Sequence, residues 1–175
     1  MLRRILLIVV IVFVAIQLYR PATTNPPEDP SHNLKAVAQV PADVDHVLAQ
    51  SCNDCHSYKT VWPWYTQIAP SRWLVVSDVN DGRRHMNFSE WTTLPVERQQ
   101  RRLSEICEQV RSGDMPLKQY TWIHTETKLS DSQREAICAW TKAEQLRITE
   151  KTGVAVPQPR HGGMRAAEEK KEEKK

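Results

Sequence analysis

Cys52-Asn53-Asp54-Cys55-His56 is the stretch on which the reading of this chain turns. Cys-x-x-Cys-His is the spacing by which c-type haem is attached. Residues three apart on a helical turn share a face, so Cys52 and Cys55 can reach the two vinyl groups along one porphyrin edge. His56 follows at once and can offer an imidazole nitrogen to the iron. The motif therefore predicts one covalently attached haem c, anchored by Cys52 and Cys55, with His56 as an axial ligand.

Upstream, the 175-residue chain opens with Arg3 and Arg4, then an unbroken apolar run from Ile5 to Ile16. This is the pattern of an export signal, with the positive start left on the cytoplasmic side. Ala15-Ile16-Gln17 lacks the small-x-small site of a peptidase, which favours an uncleaved anchor over a cleaved signal. The fifteen residues from Ile5 to Tyr19 rise about 22 Å, short of a hydrocarbon core of about 30 Å. Snorkelling arginines and an interfacial Tyr19 are expected to cover part of the gap. Residues 1–20 are thus read as a signal-anchor or transmembrane segment, with the haem domain in the periplasm. Secretion to the periplasm after cleavage is the alternative. Residues 21–40 hold four prolines between Pro21 and Pro30 and are read as a stiff spacer lifting the domain off the bilayer.

Residues 41–148 carry helical periodicity. Val44, Val47 and Leu48 mark a helix running into the motif, with Pro41 at its start and Asp43 and Asp45 in its first turn. The aromatic stretch Val61 to Ser71 is read as a loop packed on something large and flat. A helix from about Arg72, capped by Ser71, carries Trp73, Val76 and Val79 on one face and ends near Gly82. Pro95 opens a helix with the stripe Val96, Leu103, Ile106 and Val110, stopped at Gly113. Ser130 and Gln133 form a capping-box pattern before a last helix that buries Ile137, Trp140 and Ala143 and fades near Ile148. No window shows strand alternation, so the expected class is all-α. The charged tail, 149–175, reads as a solvated, disordered or weakly helical end with no chemistry.

The second iron ligand comes from Met86, Met115, His85 or His124. Met115 is preferred, because Gly113 stops the preceding helix and Pro116 stiffens the backbone after it; His124 and Met86 are the alternatives. His56 should donate its other ring proton to a backbone carbonyl, with Pro70 as the candidate. The flat side chains of the six tryptophans suit a porphyrin wall, although most are expected in the core. Arg72, Arg83 and Arg84 are candidates for the haem carboxylates. Cys107 and Cys138 remain, each in a predicted helix, and an oxidising compartment points to a disulfide between them; two buried free thiols are the alternative.

The stretch from Val44 to Trp140 resembles the haem-binding-domain family of exported monohaem c-type cytochromes. The matching elements are Ser51 to Ser57, Trp62-Pro63-Trp64-Tyr65, Asn87-Phe88-Ser89-Glu90-Trp91, Gly113-Asp114-Met115-Pro116 and Cys138-Ala139-Trp140. The resemblance implies a cytochrome c-like fold, with N- and C-terminal helices crossing beside the haem and Met115 as distal ligand. The anchor, spacer and tail lie outside it.

The function expected is one-electron transfer by a membrane-tethered carrier, with redox proteins in or at the membrane as partners and no enzymatic activity. A haem-based sensor of small ligands is the alternative, with Met115 absent from the iron or labile. A thiol–disulfide oxidoreductase is disfavoured, since its motif belongs after a strand. A zinc site lacks a second Cys/His pair at suitable spacing. Residues 36–145 carry twelve Lys and Arg against fourteen Asp and Glu, and no basic stripe interleaved with aromatics appears, which argues against nucleic acid.

Overall fold

The computed structural model describes residues 1–156. Among these, seven α-helices and five short 3-10 turns account for the regular structure, with no strand. The helices are α1 (Leu2–Ile16), α2 (Ala42–Ser51), α3 (Asn53–His56), α4 (Ser71–His85), α5 (Val96–Ser112), α6 (Lys118–Ile123) and α7 (Asp131–Thr152). The all-α expectation holds. The charged run at 168–175 lies outside the described residues, and α7 continues to Thr152, into the segment read as tail.

The ends of the long helices follow local rules. Gly113 ends α5 in the left-handed region, φ 78°, where a glycine escapes the Cβ clash other residues meet. Ser130 and Gln133 exchange side-chain and backbone bonds as a capping box at the start of α7. Pro70, not Ser71, stands at the N-cap of α4, and that helix passes through Gly82 to His85.

α7 packs most extensively on α5 and also meets α2. Leu103, Ile106, Val110, Ile137, Trp140 and Ile148 fill the seam with Val44, Val47 and Leu48 of α2. Apolar burial of this kind contributes roughly 25 cal/mol per Å². Two further ties join α5 to α7. Cys107 and Cys138 form a disulfide, S–S 2.01 Å. Gln100 and Gln145 each donate a side-chain N–H to the other's backbone carbonyl. Ala143 is exposed, whereas Thr141, Glu144 and Gln145 are buried. These polar residues take inward positions because they have partners there: Glu144 pairs with Arg147 and accepts from the Gln39 N–H.

The region before α2 departs most from expectation. Leu34, 2 % exposed, belongs to the core together with Ala38, so organised structure starts well before Pro41. The stretch read as a stiff spacer lifting the domain off the bilayer lies against the domain instead. Arg72 donates to the Pro21 carbonyl, Arg83 to Asn25, and Ser89 to Glu28. Glu28 also pairs with Lys59. Burial would raise the Glu28 carboxyl, but hydrogen bonds from Ser89, Lys59 and Asn33 outweigh it and hold the group below its usual range. The proline-rich composition could not reveal these partners, which lie far away in the sequence.

α1, fifteen residues long, carries Arg3 and Arg4 near its start and then exposes an apolar run from Ile5 to Ala15. Among the described residues no helix is long and apolar enough to cross a membrane, so the expected transmembrane span is not met.

Candidate haem site

The pentapeptide forms a single turn. The amides of Cys55 and His56 both bond to the Cys52 carbonyl, at 3.2 and 2.9 Å, and α3 packs on α4. Contact between the two helices is close at Gly82, where a Cβ would stand 2.5 Å from the Cys55 carbonyl oxygen. Only glycine admits this approach. The Thr60 hydroxyl bonds the Asp54 carbonyl and the Val61 N–H bonds the Asp54 carboxylate, fixing the chain that leaves the motif.

His56 is held from behind. Its Nδ1 lies 3.1 Å from the Gly82 carbonyl and 3.0 Å from the Met86 carbonyl. Carbonyls only accept, so Nδ1 carries the proton and Nε2 keeps its lone pair. Among the described residues Nε2 has no hydrogen-bond partner. Burial lowers the His56 pKa, against the opposing effect of the two carbonyl bonds, so the ring is neutral and its lone pair is available to a metal. Gly82 and Met86 take the role expected of Pro70, which instead begins α4.

A cavity of about 660 Å³ adjoins this turn, within the size range of cofactor pockets. Cys52, Cys55 and His56 line it on one side; Leu48, Phe88, Ile106, Val110 and Ile137 supply apolar wall. Met115 lines it from the loop after α5. That loop is pinned where the Asp114 and Met115 amides both bond to the Gln109 carbonyl at 3.1 Å.

The other ligand candidates separate. Met86 also lines the cavity, but its backbone sits behind the imidazole, on the Nδ1 side, and its side chain packs on the core cluster. His85 reaches the cavity edge with Nδ1 on its own helix's Asp81 carbonyl, 2.8 Å. His124 does not line the cavity: its Nε2 is 2.7 Å from the Tyr65 hydroxyl and its Nδ1 faces Glu126.

Neither the proposed arginines nor the tryptophans line the cavity. Arg72 and Arg83 are spent on the N-terminal segment and on Ser57, and Arg84 pairs with Asp81. Trp91 and Trp140 are core residues, while Trp64 and Trp122 are exposed. The cation that does line it is Arg102 of α5, paired with Glu105 and leaving a buried Nε without a partner. A buried orphan donor is costly, and a guanidinium at the cavity wall is suited to pair with a carboxylate placed there. In the sequence, Arg102 stood out only by lying four residues before Ile106, at the margin of the apolar stripe.

Burial pushes both free thiols, Cys52 and Cys55, up to about 12. A thiol–disulfide catalyst needs the opposite shift. An apolar cavity, a neutral imidazole with a free lone pair, a thioether and a half-buried guanidinium at the wall together fit a haem.

The model of the haem-binding domain matches residues 11–143. The chain belongs to the haem-binding domain family. This match begins within α1 and takes in the proline-rich segment, in accord with the contacts that tie that segment down. Neither the curated proteins nor the solved structures gave a match. As a member of the haem-binding domain family, the chain binds haem.

Proposed function

We propose that this member of the family is an exported monohaem c-type cytochrome that carries single electrons at a membrane. The observation carrying this reading is the clamp on His56 Nδ1, which leaves Nε2 free in a ring bordering the same cavity as Cys52, Cys55 and Met115. In this reading Cys52 and Cys55 would attach the haem covalently, His56 and Met115 would hold its iron, and Arg102 would pair with one of its carboxylates. Bound haem supplies an iron that gains and loses one electron.

The chain's own residues set the conditions for that exchange. Gly82 and Met86 fix the imidazole tautomer and orientation. The apolar wall would exclude water, and the Met115 thioether would serve as the second ligand to the iron, leaving no position free for substrate. Methionine in place of a second histidine raises the potential. The disulfide between Cys107 and Cys138 supports an oxidising, exported location. The basic start and exposed apolar face of α1 support tethering to the membrane, with redox proteins there as partners.

The test is the optical spectrum of the oxidised holoprotein. Sulfur ligation gives a weak far-red charge-transfer band, which Met115→Ala should abolish while the haem stays attached. A band that survives the substitution would remove Met115 from the iron.

A further inference from the structure

We infer that the N-terminal end of α4 and the turn before it form a lipid-contacting face, which seats the haem domain directly on the bilayer instead of letting it swing on a tether. This inference rests on the membrane tethering proposed above.

The first observation is a clasp. The Gln17 side chain, just after α1, pairs with both backbone groups of Ala69: its Nε2 donates to the carbonyl at 3.2 Å, and its Oε1 accepts from the amide at 2.8 Å. Two residues on, the Trp73 indole N–H donates to the Tyr19 carbonyl at 2.9 Å, and the Tyr19 and Trp73 rings lie 5.9 Å apart. The end of the apolar helix is therefore fixed to the domain, with no free linker between them.

The second observation is what surrounds the clasp. Residues 61–77 contain one charged side chain, Arg72, and it is turned inward to Pro21 and Thr23. Ile68, beside Ala69, and Leu74, beside Trp73, are 42 % and 54 % exposed, and Trp64 is 76 % exposed. Trp64 and Gln67 bound one 3-10 turn, where residues three apart eclipse. Gln67 accepts from Arg20, so Trp64 lies on the side where α1 emerges. Aromatic residues beside an uncharged apolar surface are the composition of a membrane interface.

The third observation is length. The fifteen residues of α1 span about 22 Å, against about 30 Å of hydrocarbon. A helix too short to cross would keep its flanking residues near the interface, and the flanking residues here include Leu18, Tyr19 and the clasped face. The haem cavity begins further along α4, at Asp78 and Gly82. Gly82 lies about 12 Å beyond Leu74 along the helix, so the seating would hold the haem at a set height above the lipid.

The experiment uses the full-length holoprotein in phosphatidylcholine–phosphatidylglycerol vesicles. Nitroxide labels are placed on single added cysteines, Trp64→Cys, Leu74→Cys and, as an aqueous reference on α7, Lys142→Cys. Collision with oxygen and with a water-soluble nickel chelate is read by electron paramagnetic resonance. Labels at 64 and 74 should show a several-fold higher oxygen-to-nickel ratio than the label at 142. Equal ratios at all three sites in protein that co-sediments with vesicles would overturn the seated face and leave the tether standing. Protein that fails to co-sediment would overturn both.

Discussion

The wall that carries His56 and the loop that carries Met115 are held in different ways. The histidine wall is over-determined. Two carbonyls share its Nδ1 proton, a glycine-sized gap admits Cys55 against α4, and the motif occupies five consecutive residues. The methionine loop depends on fewer supports: one left-handed glycine, one carbonyl taking two amides, and the anchoring of α5 by α7. In the proposed reading, such a site fixes its first ligand by local geometry and its second by tertiary structure. Damage to the α5–α7 seam should therefore disturb methionine ligation while the histidine and the two cysteines keep their places.

The largest effect should come from the seam. Opening the disulfide with Cys107→Ser and Cys138→Ser releases a crosslink across 31 positions, worth about 3–4 kcal/mol in the chain-entropy model. Denaturant midpoints of the two holoproteins measure this, and the far-red band should weaken well before the haem's main absorption changes. Next, Gly82→Ala drives a Cβ into the Cys55 carbonyl and should cost about 2 kcal/mol, in the range of core overpacking. Helix propensity alone would make the same change favourable by up to about 1 kcal/mol, so even the sign of the measured shift discriminates.

These two sites also mark what could be read in the sequence. The pentapeptide, the Gly113 stop and the Ser130 capping box are local patterns and were legible. Gly82 looks like a helix end in the sequence, because a glycine near a predicted terminus resembles a stop, yet α4 runs through it to His85. Its actual role depends on a helix 26 residues away in sequence, whose His56 it also holds. Leu34 was hidden in a polar, proline-rich stretch whose partners, Arg72, Arg83 and Ser89, are distant. Arg72, Arg83 and Arg84 lie nearest the aromatic motifs in sequence, whereas Arg102, on the cavity, carries no local pattern that distinguishes it. The Met115 turn was legible, but only the fold could place it on the cavity that His56 lines.

Smaller effects sharpen the contrast. Gly113→Ala forces a Cβ into the left-handed region and should cost about 1 kcal/mol, with part of the loss appearing as weakened sulfur ligation in the far-red band. An equal loss of stability with no spectral change would detach the turn from the iron site. Arg102→Gln should leave fold stability within about 1 kcal/mol, since its pairing with Glu105 is partly exposed. It should nevertheless alter the pH dependence of the midpoint potential if a haem carboxylate lies against the guanidinium. An unchanged titration would free Arg102 from that role.

Intact-mass spectrometry of the full chain, produced with c-type maturation machinery and denatured in acid, tests the central claim most directly. The account predicts a single species carrying the mass of the chain plus one haem, which Cys52→Ala combined with Cys55→Ala reduces to the bare chain. Wild-type protein that runs at the bare mass, with its haem released separately into the acid, would contradict it.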